Sequence, residues 1–197
     1  YTVDTILTFL AEHAIEIIGL VLGLFYLYFE YHASIWVWLF SLLMPMVSMI
    51  VYFDAGLYAD FSINIYYLLA SAYGLARWRG NKRRKGATIS HIPPAFALVS
   101  IAAMLVIWLG IYLVLHSFTN SNVPVMDSLT TALSIVGTWM LARKYIEQWA
   151  VWIVVDAICV GLYIYKEIPF YAVLYAVYTV VAVFGYRKWR AMMSAQA

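Results

Sequence analysis

Two stretches of the chain, 111 residues apart, read as copies of a single helix. Tyr67, Gly74, Arg77, Trp78 and Arg79 fall opposite Tyr178, Gly185, Lys188, Trp189 and Arg190. A helix that recurs in an apolar chain with the same basic end requires an odd number of membrane spans between its copies. The expected plan is two like-oriented halves joined by a linking helix, as in carriers that hold their cargo between parallel repeats.

Lipid must solvate most of this chain. Its 197 residues are 65% hydrophobic and 11% charged, with a mean hydropathy of +0.85, more apolar surface than a water-soluble domain of this size can bury. Seven spans are expected, at 14–31, 34–52, 58–78, 93–116, 127–143, 149–165 and 169–187, each near the ~20 residues that cross a bilayer. Breakers and charge mark the connections: Asp54, Gly56 and Asp60, then Asn81 to Gly86 before Pro93-Pro94, then Thr119 to Pro124, and Pro169 at the last span.

Alternating seven spans puts eleven of the twelve Lys and Arg on one side, namely Arg77, Arg79, Lys82, Arg83, Arg84, Lys85, Arg143, Lys144, Arg187, Lys188 and Arg190, with Lys166 opposite. By the positive-inside rule that side is the cytoplasm, so the N-terminus is expected outside and the C-terminus inside. Residues 1–11 lack the basic start and small-residue cleavage site of a signal peptide, so the first span is expected to stay. The fourth span, Ile92 to Leu115, has Ser100 as its only hydroxyl apart from Tyr112 and matches neither half. It reads as a lipid-facing connector. The expected fold is an all-α integral membrane protein of seven helices, arranged three plus one plus three. Its parts are a first bundle at 12–80, a cytoplasmic loop and linker helix at 81–118, and a second bundle at 119–190.

Polar groups inside the spans are the candidate site. Asp60, Asn64, Tyr67 and Ser71 are spaced for one helical face, and the repeat sets them opposite Tyr171, Tyr175, Tyr178 and Ala182. Such a face should look toward protein or a wet cavity; interhelical hydrogen bonding between the triplets is the alternative, and a shared polar seam at matching depth in both halves favours a substrate cavity. Asp156 lies near the middle of the sixth span with no Lys or Arg at similar depth, and Trp149 and Trp152 share its face. A carboxylate beside indoles suits a flat organic cation; the bland alternative is a neutral acid bonded to a hydroxyl. Trp78 and Trp189 read as interfacial anchors, and so do Trp36 and Trp38, although Trp36 could line an entrance; Trp139 leans either way. Pro45 should kink the second span.

Other chemistry is disfavoured. His13, His32, His91 and His116 lack metal-ligand spacing, the lone Cys159 reads as packing, and no G-x-S-x-G element, phosphate loop or paired intramembrane Asp is present. Residues 169–186 contain no Lys for a retinal Schiff base. The Lys82–Lys85 cluster is a topology determinant rather than a nucleic-acid site. No enzyme, metal or cofactor is expected. The expected partners are a small-molecule substrate and the bilayer, with a homo-oligomer left open.

The segment Asp127-Ser128-Leu129 through Leu133-Ser134-Ile135-Val136, then Arg143-Lys144-Tyr145-Ile146-Glu147 with Trp149 and Trp152, resembles the second half of the PnuC family of bacterial vitamin transporters. Gly56-Leu57-Tyr58-Ala59-Asp60 and Tyr73-Gly74 resemble the first half more loosely. The resemblance implies two parallel three-helix bundles, as in the SWEET sugar carriers. It also implies facilitated diffusion across the bacterial inner membrane of an unphosphorylated vitamin, which a cytoplasmic kinase then traps. Against the nicotinamide riboside type, this chain has Met44 and Asp156 where that type has Asn, and Ser71-Ala72-Tyr73-Gly74-Leu75 for Asn-x-Tyr-Gly-Trp. The runs Asn64-Ile65-Tyr66-Tyr67 and Val155-Asp156-Ala157 look more like the thiamine-carrying branch. Thiamine is therefore expected ahead of nicotinamide riboside, with riboflavin or a nucleoside behind both, and a non-transporting receptor as the rival class. The expected substrate contacts are Asp156, Trp152, Asn64, Tyr67, Ser71, Tyr171, Tyr175, Tyr178, Trp139 and Trp36.

Overall fold

Each expected span becomes a helix. The computed structural model describes the backbone of residues 14–54, 58–83, 88–119, 123–167 and 169–196, and the side chains of 21–50, 63–80, 88–119, 123–167 and 171–196. The 1–11 stretch, His13, the Gly56-Leu57 turn, Arg84-Lys85-Gly86 and Asn120-Ser121-Asn122 lie outside the described residues, as do the side chains of Asp54, Asp60 and Lys82. The helices are α1 (Ala14–Tyr31), α2 (Val37–Asp54), α3 (Tyr58–Arg83), α4 (Pro94–Phe118), α5 (Pro124–Ala142), α6 (Gln148–Tyr165) and α7 (Pro169–Ser194). Among the described residues, α4, α5 and α6 are long and apolar enough to cross a bilayer. Pro94, Pro124 and Pro169 each open a helix, where a missing N–H costs nothing. α3 and α7 run on to Arg83 and Ser194, past the expected ends at 78 and 187. Hydropathy marks where a helix leaves lipid; it does not by itself stop a helix, and in α7 the next residues include good formers such as Lys, Arg, Ala and Met.

The duplication is visible in the helix limits. Displaced by 111 residues, α2 falls on α6 and α3 on α7 at both ends, and the end of α1 at Tyr31 falls on the end of α5 at Ala142. The turns repeat too. After α1, Ala33 N–H donates to Glu30 O (2.9 Å) and Ser34 N–H to Phe29 O (2.9 Å); after α5, Lys144 N–H donates to Leu141 O (2.9 Å) and Tyr145 N–H to Met140 O (3.0 Å). These nested bonds are Schellman caps. Such a cap needs a left-handed residue, and Ala33 (φ 48) and Lys144 (φ 58) supply it without being glycine.

The chain divides into two compact units, Tyr1–Arg79 and Gly80–Ala197. In the first, the Trp38 ring lies against Gly74, where a Cβ would overlap it. Trp38 also meets Trp78 edge to face, with centroids 5.6 Å apart at 84°. In the second, Trp149 lies against Gly185 in the same way and meets Trp189 at 5.7 Å and 85°. These four indoles are 0–4% exposed. That corrects the reading of Trp38, Trp78 and Trp189 as interfacial anchors: a glycine one turn before each helix-end Trp opens a slot that a neighbouring indole fills. Trp36, in contrast, is 56% exposed.

The second unit holds α4 as well. Residues 88–92 run beside the α5–α6 turn as a short parallel bridge, with Ser90 N–H to Lys144 O (3.2 Å) and Ile146 N–H to Ser90 O (3.0 Å). Glu147 ties the same strap down, accepting from Ile92 N–H (3.0 Å) and pairing with His91 Nδ1 (2.7 Å). The Arg143 guanidinium lies over the Trp139 and Phe96 rings at 5.4 and 5.8 Å. Burial lowers the pKa of Lys144 beside it. α4 keeps Ser100 inside, bonded to Phe96 O (2.7 Å), and exposes Leu98, Val99, Ile101, Val106 and Leu109 along its outer side.

Candidate functional site

Among the described residues of the second unit, the buried side-chain polar atoms without a hydrogen-bond partner belong to Arg143, at the end of α5, and to Gln148, Trp149 and Trp152 of α6. Gln148, Trp152 and Asp156 follow one another at intervals of four, so they form a ladder along one side of the helix. Asp156 is 7% exposed. The ion pairs seen among the described residues are His91–Glu147 and Lys166–Asp127, and neither reaches it. Trp152 packs its ring against Gly137 of α5, and its Nε1 is buried with no hydrogen-bond partner among the described residues. A carboxylate without a cation and an indole N–H without an acceptor, one turn apart, are strongly disfavoured in hydrocarbon. A ligand bearing positive charge beside a hydrogen-bond acceptor would satisfy both.

Across from Asp156, α7 supplies a tyrosine wall. Tyr163 stacks on Tyr171 and on Tyr175, each at 5.2 Å, and Tyr175 meets Tyr178 edge to face at 5.6 Å. Tyr163 and Tyr175 are also linked by a side-chain hydrogen bond. Asp156 lies within electrostatic reach of Tyr175 and Tyr178. The structure thus brings together Asp156, Trp152, Tyr171, Tyr175 and Tyr178, all expected, and adds Tyr163. Tyr163 stands seven residues after Asp156, two helical turns along the same face, and that spacing is the signal that could have found it.

Trp139 joins other company. It packs with Val136, Met140 and Tyr145 near the basic end of α5, its ring 5.8 Å from that of Tyr145. In the first unit Ser71 is 2% exposed and its hydroxyl donates to Ser41 O (3.0 Å), so it fastens α3 to α2. Tyr67 lies against Tyr66 at 5.5 Å and near Tyr26, while Asn64 is half-buried on the same helix. Glu30, 1% exposed near the end of α1, is a buried carboxylate that hydropathy did not single out, because one acid near a span's end hardly changes its average. Lys166, at the end of α6 away from Arg143 and Lys144, pairs with Asp127 at 3.2 Å and closes that end of the second unit.

Seven helices among the described residues, three of them long and apolar enough to cross a bilayer, and local structure repeated at 111 residues describe a multi-pass membrane protein. The family model described as nicotinamide mononucleotide transporter matches residues 13–191, and the chain belongs to that family: it is a vitamin transporter of the PnuC type. It is 24% identical over 201 residues to the nicotinamide riboside transporter PnuC of Escherichia coli (strain K12), covering 89% of this chain and 84% of that protein. The Neisseria mucosa transporter of the same name is 26% identical over 165 residues, covering 77% of this chain and 62% of that one. Among solved structures, the crystal structure of the Vitamin B3 transporter PnuC shares the fold with a TM-score of 0.73 at 23% identity, covering 98% of this chain and 88% of that one.

Proposed function

We propose that the chain carries an unphosphorylated, flat cationic vitamin down its gradient across the bacterial inner membrane. The observation that carries this reading is on α6: the buried Asp156, with no cation beside it among the described residues and within reach of Tyr175 and Tyr178, one turn from the unpartnered Trp152 indole N–H. In this reading Asp156 opposes the positive ring, and Trp152 and a tyrosine of the wall stack on it. Ser71 is left to packing. In this reading α1–α3 and α5–α7 are two three-helix bundles with α4 as the linker. On the same reading the basic ends face the cytoplasm and the N-terminus lies outside; a cytoplasmic kinase, not needed for flux, traps the product within the cell. No coupling ion is invoked.

Nicotinamide riboside is the first candidate, supported by the names of several relatives. Thiamine is the second, favoured by Asp156 standing where the resemblance expects Asn and by the run Asn64-Ile65-Tyr66-Tyr67. Both are aromatic cations, so charge alone does not separate them. Counterflow into proteoliposomes, with each labelled vitamin in turn, decides between them. Uptake of one or both without an imposed ion gradient supports the uniporter. Binding without flux would identify a receptor, and strict dependence on a pH gradient would replace uniport with proton coupling.

A further inference from the structure

Gln148, the first residue of α6, is 0% exposed, and both its amide nitrogen and its amide oxygen lack partners among the described residues. Its neighbour Glu147, by contrast, is fully engaged with His91 and the Ile92 N–H. A buried primary amide missing both kinds of bond is costly, commonly about 1–3 kcal/mol for each stranded group. The fold itself does not require an amide there. The residue 111 positions earlier is Val37, equally buried at 0% and at the same place in its helix. The backbone bonds around the two sites also match: Val37 N–H to Ser34 O (3.1 Å) and Gln148 N–H to Tyr145 O (3.2 Å). One copy of the scaffold is therefore content with an apolar side chain, while the other keeps an unsatisfied amide in line with Trp152 and Asp156.

We infer that Gln148 is a second substrate contact, a station for a neutral hydroxyl at the basic end of the ladder, distinct from the cation contact at Asp156. Gln148 and Asp156 are eight residues apart, ~12 Å along a helix axis. An amide offers a donor and an acceptor together, which is what one hydroxyl group needs. The ligand class is thus an elongated molecule with a cationic ring at one end and a primary hydroxyl at the other. In the orientation proposed above, the hydroxyl end leads toward the cytoplasm. The inference rests on the transport reading and deepens it.

The test is a double-mutant cycle between protein and substrate, using the full chain in proteoliposomes. Gln148→Val copies the residue of the first repeat, and Gln148→Asn keeps a shortened amide; thermal unfolding in detergent checks that both fold. The half-saturation concentration of counterflow is measured for nicotinamide riboside and for its 5′-deoxy analogue. Gln148→Val should raise it about five- to ten-fold for the hydroxylated compound and leave the deoxy compound within two-fold, with Gln148→Asn in between. Equal losses for both compounds would overturn the hydroxyl contact and leave Gln148 a packing residue. Flux of neither vitamin through the unmodified chain would overturn the transport reading itself, and this inference with it.

Discussion

The first triplet, α1–α3, and the second, α5–α7, share their scaffold and differ in their chemistry. Both end their first helix in a Schellman cap on a non-glycine left-handed residue, Ala33 or Lys144. Both lodge an indole over a glycine and cross it with a second indole at 84–85°. Along the middle helix, however, Gln148, Trp152 and Asp156 replace Val37, Ser41 and Pro45. Along the last, Tyr175 and Ala182 replace Asn64 and Ser71. What the duplication retains is packing and turn geometry; what it leaves free to vary is the polar ladder. An internal copy therefore serves as a control: a feature present in both triplets belongs to the fold, and one present in a single triplet is a candidate for function.

The largest effect expected from this comparison lies in the shared part. Gly74→Ala and Gly185→Ala each drive a methyl group into an indole held on several sides. Each should cost about 3 kcal/mol of stability, and by similar amounts, read as thermal unfolding in detergent. Loss in one copy only would break the equivalence of the two locks. Next comes an unshared group: Trp152→Phe keeps an aromatic face but removes the N–H, and should weaken substrate about ten-fold in counterflow with the melting temperature unchanged. Ser71→Ala, which gives the first copy the side chain of Ala182, should cost about 1 kcal/mol of stability and leave substrate affinity within two-fold. A large loss of affinity would return Ser71 to the site. The smallest change belongs to Lys166→Met. Its bridge to Asp127 joins side chains that are 29% and 31% exposed, so at most a few tenths of a kcal/mol is expected, vanishing in high salt.

The helix plan was legible because two independent signals agreed. Spans of about twenty apolar residues set the number of helices, and the sidedness of Lys and Arg admitted only that number. The family-like run from Arg143 to Trp152 was legible as a motif but not in its roles. Most of it builds a clamp: Arg143 over two rings, Tyr145 bridged to Ser90, Glu147 on the strap, and Trp149 on Gly185. Gln148 and Trp152 of that run instead line up with Asp156 on one side of α6. The indoles beside Arg and Lys were misread because an aromatic next to a basic residue has the same sequence pattern whether it meets headgroups or a glycine slot. Only the three-dimensional partner tells them apart. Gln148 escaped notice for a similar reason: at a helix start beside charged residues an amide looks solvated, and its burial is invisible in one dimension.

The most direct test concerns the one carboxylate of the ladder. Nicotinamide riboside and its dihydro form differ chiefly by the positive charge of the ring, so their ratio of counterflow affinities isolates what Asp156 contributes. Asp156→Asn should weaken the cation about ten- to a hundred-fold and the neutral dihydro compound by less than three-fold, collapsing the ratio. Equal weakening of both, or an unchanged ratio, would contradict the account, because the polar ladder of the second triplet would then have no charge to read.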